Sequence, residues 1–391
     1  MNGYITPKAT LQQVLQGNCT MVEKQTNGHV KNTLLQLQKC RTAALGYHVY
    51  RCSDEDCGKL QYQYHSCRNR HCPQCGGIKK QDWIAARTQE LLPVPYYHVV
   101  FTLPHELNAV TLGNQKAMYR LLFDAASQTL LRFAADQKWM GAVPGIIAVL
   151  HTWGQQLSFH PHLHCIVSGG GICKKTGAWK PAVKNHQGVL FAVKAMSSVY
   201  KTKFLQQLKK LINQKQVIPP DGVNIVEQIN LLYAKNWVVY AKAPFAGPAA
   251  VIEYLGRYTH KVAISNQRIQ AVDNEAKTIT FNYKDYSDGN KQKQMTLSGG
   301  EFIRRFAQHI LPKRFTKIRT YGYLANRNRH QRINTILQQM KLPQHKGLVK
   351  VSIDFKLKER FGINRYECPC CKKITLELLK VYCSWKQADD G

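Results

Sequence analysis

A chain of 391 residues is long enough for two or three domains with at least one sizeable core, and hydrophobic residues at 44% with aromatics at 10% set aside disorder as its default state. Its 55 Lys and Arg against 23 Asp and Glu give a formal charge of +32, which repels itself unless a polyanion neutralises it. No apolar run reaches transmembrane length, so nucleic acid leads an anionic membrane surface as the expected partner. The start, Met1-Asn2-Gly3-Tyr4-Ile5, lacks a basic segment followed by an apolar core. No signal peptide is therefore expected, the compartment reads as the cytoplasm, and clustered members of the 13 cysteines read as metal ligands before disulfides.

Along the chain, apolar spacing predicts helix up to about Gln38, and cysteines then crowd together from Cys40 to Cys75. Helical character resumes near Gln81 to Ala86. Tyr96 to Leu103, β-branched and aromatic between Pro95 and Pro104, reads as a strand, and Lys116 to Gln137 as a long helix. Gly145 to His151 and His160 to Val167 read as paired strands, with a turn-prone Gly154-Gln155-Gln156 between them and the run Gly169-Gly170-Gly171 taken to close the hairpin. Further strands are predicted at Trp237 to Lys242, Thr278 to Lys284 and Gln292 to Leu297. Helices are predicted around Ser197 to Gln214, Gly247 to Thr259 and Glu301 to His309. The interleaving of antiparallel strands with helices predicts an α+β fold. The expected organisation is a helical and zinc-binding region over 1–90, a catalytic domain over 91–330, and a basic C-terminal region with a small Cys cluster over 331–391.

The most informative segment is His160-Pro161-His162-Leu163-His164. Strand side chains alternate, so His162 and His164 share a face while Leu163 points into the core. His151, on the facing strand, is the expected third metal ligand, with Gln155 or Gln156 behind it. His160 reads as structural. Three imidazoles favour Mn²⁺ over Mg²⁺, which prefers oxygen. Tyr254 and Tyr258 are spaced i and i+4 in a predicted helix and share one face. Such a pair is more often core than catalytic, and a phenol near pKa 10 needs help to act as a nucleophile. Arg257, His260 and Lys261 stand close enough to supply positive charge.

Cys40, Cys52, Cys57, Cys67, Cys72 and Cys75, with His71, form the expected zinc-binding set, Cys52 and Cys57 facing the tight pair Cys72-Pro73-Gln74-Cys75. Cys368-Pro369-Cys370-Cys371 in the tail reads as half a site. Cys165 and Cys173 read as packing residues. Arg304, Arg305 and Arg319, with Arg327, Arg329 and Arg332, alternate with aromatics in a pattern that suits single-stranded DNA, where phosphates pair and bases stack.

These motifs resemble those of the insertion sequence ninety-one family of transposases, two-tyrosine members of the HUH single-strand endonucleases. The resemblance runs from about Cys40 to Arg329 through Phe101-Thr102-Leu103-Pro104, His160 to His164, Tyr254 to His260, Glu301 to Phe306 and Ile318 to Arg327. It implies an HUH-type antiparallel sheet flanked by helices behind a small zinc-binding domain. It also implies an enzyme of rolling-circle transposition: Tyr254 and Tyr258 as nucleophiles forming 5′-phosphotyrosine links at single-stranded element ends, His162 and His164 as ligands of Mg²⁺ or Mn²⁺, and structural Zn²⁺ in the N-terminal domain. Arg257, Lys261, Arg304, Arg305 and Arg319 are the expected DNA contacts. No GxxxxGK[ST] loop occurs, so a host helicase and replication proteins are expected partners. The rival expectations are a plasmid or phage replication initiator or relaxase with the same chemistry, and a non-catalytic DNA-binding regulator.

Overall fold

The computed structural model describes residues 7–183, 188–245, 247–258, 261–344 and 351–383. In chain order the strands among them are β1 (Tyr47–Cys52), β2 (Leu60–Tyr64), β3 (Tyr96–Thr102), β4 (Val143–Trp153), β5 (Phe159–Ile172) and β6 (Trp179–Pro181). There follow β7 (Val239–Ala241), β8 (Ile269–Asp273), β9 (Thr278–Asp285), β10 (Lys291–Ser298), β11 (Ile318–Gly322) and β12 (Leu376–Tyr382). With helices interleaved throughout, the fold is α+β, as the sequence predicts.

The chain gathers into two compact units, one of Lys80–Ala263 and Leu311–Gly347, the other of Met1–Lys79, Ile264–Ile310 and Leu348–Gly391. The first unit carries a six-stranded sheet in the order β11-β4-β5-β3-β7, with β6 paired to β5. Every pairing in it is antiparallel.

Helices cover both faces of this sheet, so its central strands read as continuous apolar runs rather than alternating ones. On one face Phe101, Ile146, Ala148, Leu163 and Cys165 pack in a core with residues of the helices Gln115–Ala135 and Val193–Asn213. On the other, Tyr96, Ile147, Val149 and Ile166 meet Val251 of the helix Pro248–Tyr258 and Ile333, Ile336 and Leu337 of the helix Arg329–Gln339. The period of two therefore assigns His151, His162 and His164 to the second face, under the tyrosine-bearing helix.

One turn expectation is corrected. Gly169-Gly170-Gly171 does not close the hairpin; it lies within β5, and the reversal is at Gly154 to Ser158. The run is glycine because neighbours stand where side chains would go: a Cβ on Gly171 would meet the Val143 carbonyl oxygen at 2.4 Å, and one on Gly170 the Trp179 ring at 2.4 Å.

The second unit holds two three-stranded antiparallel sheets, β12-β1-β2 and β10-β9-β8. β1, β2 and β12 lie in the cysteine-rich stretches, where no strand was expected, because cysteine and turn residues mask the alternation.

Candidate active site and cysteine centres

The β4–β5 hairpin sets His151 directly opposite His162, with His164 two residues further along β5 opposite Val149. One ring nitrogen from each of the three lies within 4.8 Å of the others. His162 Nδ1 is 2.7 Å from the His160 carbonyl oxygen. A carbonyl only accepts, so Nδ1 carries the proton and Nε2 keeps its lone pair for an ion. His160 thus contributes its backbone, while its ring is exposed. Burial, reinforced by the charge of neighbouring groups, pushes the His162 ring down to about 4 and that of His164 to about 2. Near neutrality both imidazoles are uncharged, the form that binds metal. Gln155 and Gln156 sit in the turn between β4 and β5.

Tyr254 reaches this cluster from the helix Pro248–Tyr258. Its hydroxyl is 2.9 Å from His164 Nδ1 and 2.7 Å from His98 Nε2, and those two nitrogens are 3.0 Å apart. His98 comes from β3 and is buried, and burial lowers its pKa to about 4. No sequence expectation included it. The available signal was its place in β3, on the same side as Tyr96, but using that signal requires knowing that β3 pairs with β5. The backbone of Arg257 and Tyr258 continues the helix, but their side chains lie outside the described residues, as do Thr259 and His260.

Two lysines surround the cluster with positive charge. Lys317 Nζ donates to the Lys261 carbonyl at 2.8 Å, and both ammonium groups help depress the His164 pKa. Lys317 also lies 5.1 Å from the Trp153 ring, which stacks on His151 at 4.8 Å.

The other expected basic contacts divide. Arg304 and Arg305 each pair with Glu301 at 2.6 Å. Arg319, opposite Ala148 in register, belongs to the sheet face away from the histidines and stacks on Phe123 at 4.3 Å and Phe315 at 5.3 Å. The reading of Arg329 as part of a DNA-facing run is corrected. It is buried, bonded to both oxygens of buried Glu90 at 3.1 and 3.2 Å and to the Leu324 carbonyl at 2.8 Å.

The cysteines form two groups of four. Cys40, Cys67, Cys72 and Cys75 make one, with sulfur separations of 3.4 Å (Cys40 to Cys75), 3.6 Å (Cys40 to Cys72) and 3.7 Å (Cys67 to Cys75). Four thiolates about 2.3 Å from a central zinc sit ~3.8 Å apart in a tetrahedron, so this group fits structural zinc. Cys52 and Cys57 do not face Cys72 and Cys75 as expected; Cys368 and Cys371 of the tail complete their group. His71 belongs to neither group, and Cys165 is a buried core residue, as expected.

A family model described as "Transposase zinc-binding domain" matches residues 11–103, which include the first cysteine group, and one described as "Putative transposase" matches residues 145–332, which include the histidines and Tyr254. The chain is 40% identical over 362 residues to "Putative transposase y4qJ" of Sinorhizobium fredii, covering 89% of each chain. It is 29% identical over 350 residues to the "Transposase for insertion sequence element IS801" of Pseudomonas savastanoi pv. phaseolicola, covering 87% of this chain and 81% of that one. No solved structure matches. Two transposase family models in sequence along the chain, with a relative this similar over nearly its whole length, show that the chain belongs to the insertion sequence ninety-one family of transposases.

Proposed function

We propose that this transposase nicks and rejoins single-stranded DNA at insertion-sequence ends through a 5′-phosphotyrosine on Tyr254, with Tyr258 as the second nucleophile, and so drives rolling-circle transposition. One observation carries the reading: the Tyr254 hydroxyl is hydrogen-bonded to a member of the three-histidine group, 2.9 Å from His164 Nδ1. In the forward step the Tyr254 oxygen attacks phosphorus and the bond from phosphorus to the 3′ oxygen breaks. The DNA 5′ phosphate stays on the tyrosine. His98, uncharged near neutrality and 2.7 Å from the hydroxyl, takes the phenolic proton and returns it to the leaving 3′ oxygen. Rejoining reverses these events: a 3′-OH attacks the phosphotyrosine and the phenol regains its proton.

His151, His162 and His164 would hold Mn²⁺ or Mg²⁺, the imidazole donors favouring Mn²⁺. When bound, the cation supplies charge stabilisation at the phosphoryl oxygens. Lys261 and Lys317 would pair with flanking phosphates. Arg257, Arg304 and Arg305 are the further phosphate contacts of this reading, and unwinding falls to a host helicase.

The test is incubation with Mn²⁺ or Mg²⁺ and labelled single-stranded oligonucleotides spanning the element's ends, followed by a denaturing gel. Wild type should form a metal-dependent covalent adduct that Tyr254→Phe weakens and the Tyr254→Phe/Tyr258→Phe double variant lacks. Cleavage without an adduct would mean that water is the nucleophile, and tight binding with neither would leave a DNA-binding protein.

A further inference from the structure

We infer that a second structural zinc, held by Cys52, Cys57, Cys368 and Cys371, clasps the C-terminal segment onto the N-terminal cysteine region. The zinc-binding family match ends at residue 103 and so reaches neither Cys368 nor Cys371. Within one compact unit, however, the chain brings the four together. Cys52 Sγ lies 3.7 Å from Cys371 Sγ, and Cys57 Sγ 3.7 Å from Cys368 Sγ. That spacing matches the ~3.8 Å of a tetrahedral zinc thiolate centre and is far from the roughly 2.05 Å of a disulfide. Four protein ligands leave no open position, the mark of a structural rather than a catalytic ion.

The backbone is shaped for the task on both sides. The amides of Cys57 and Gly58 both donate to the Asp54 carbonyl at 3.0 Å, closing a tight turn beside Cys57. The Lys372 amide donates to the Cys368 carbonyl at 2.9 Å, with Lys372 in the left-handed region at φ 62°. The two turns are joined by an ion pair between Asp54 and Lys373, and Thr375 Oγ1 stands 3.0 Å from Cys52 Sγ. Cys52 and Cys368 are 1% and 0% exposed.

The clasp has work to do because the apolar cluster here is small. Its buried members are Tyr50, Leu376 and two of the ligands themselves, Cys52 and Cys368. A cluster of that size supplies little burial energy, and a metal centre adds folding energy of its own. What the zinc secures is β12, which pairs with β1 and stacks Tyr382 on Tyr47 at 4.7 Å. The sheet β12-β1-β2 is thus built from chain ends whose ligands stand 311 and 319 residues apart.

The test uses the full-length protein, purified in reductant. Elemental analysis should find two zinc ions per chain, and Cys368→Ser/Cys371→Ser should leave one. A variant-free measurement guards against misfolding: alkylation of the wild type, mapped by mass spectrometry before and after a graded chelator. Cys52, Cys57, Cys368 and Cys371 should be protected at first and then become reactive together. One zinc per chain in the wild type, iron in place of the second zinc, or these four thiols reactive before chelation would overturn the inference. So would thiols that resist alkylation after chelation until fresh reductant is added, since that behaviour marks disulfides.

Discussion

In the proposed reaction, the role of Tyr254 depends on the ring of His98. A phenol near its ordinary pKa is a poor nucleophile, and a neutral imidazole 2.7 Å away is the simplest remedy. General-base catalysis of this kind contributes typically about 10²–10⁴-fold. His98→Gln should therefore slow adduct formation by roughly that factor while leaving oligonucleotide affinity nearly unchanged; an unaltered rate would place the proton elsewhere. His160 supplies the opposite expectation. Because its hydrogen bond to His162 comes from the backbone carbonyl and its exposed ring is only a tilted neighbour at 5.2 Å, His160→Ala should retain nicking and the same metal dependence, whereas a large loss would mean that its ring takes part.

At the scale of elements, two ion pairs bear on the stability of helices. Arg329 begins the helix Arg329–Gln339 and pairs with Glu90, which is 5% exposed. Arg87 also pairs with Glu90 at 2.5 Å, so losing Arg329 leaves the carboxylate a single partner, at a cost between about 1 kcal/mol and the roughly 3–5 kcal/mol of a buried charge left wholly unpaired. Arg329→Ala should lower the urea midpoint accordingly, and a shift worth under about 1 kcal/mol, the range of an exposed pair, would contradict the buried pairing. Glu301, in the first turn of the helix Gly299–Ala307, is held down to about 2 from 4.5 by hydrogen bonds from Arg304 and Arg305. A carboxyl depressed on folding contributes stability above its unfolded value, and that contribution fades as pH falls from about 4.5 towards about 2. Glu301→Gln should thus melt below wild type at pH 7, with the gap narrowing as pH drops through that window. A gap independent of pH would assign the effect to packing.

For the whole molecule, the charge of +32 sets how it meets DNA. Each phosphate neutralised on a single strand releases counterions, and log K falls with log[salt] at about −0.7 per contact. Affinity for an oligonucleotide lacking the element's ends should fall steeply between low and physiological salt. A flat salt response would remove phosphate pairing as the source of binding. Among the described residues no helix is long and apolar enough to cross a membrane.

Much of the site was legible because it depends on short-range periodicity. Alternation along β5 puts His162 and His164 on one face, and a hairpin brings His151 opposite. The interleaved helices and antiparallel strands of the α+β fold were legible for the same reason. Three features had to wait for the tertiary structure, since each depends on which distant segments meet. His98 joins the cluster only through the pairing of β3 with β5. Arg329, one of many basic residues in its stretch, is set apart by buried Glu90, 239 positions away. Cys52 and Cys57 had nearer cysteines to pair with, yet the register of β1 with β12 gives them Cys368 and Cys371. Local spacing determines which way a side chain points, but long-range strand pairing decides what it meets, and no local pattern encodes that choice.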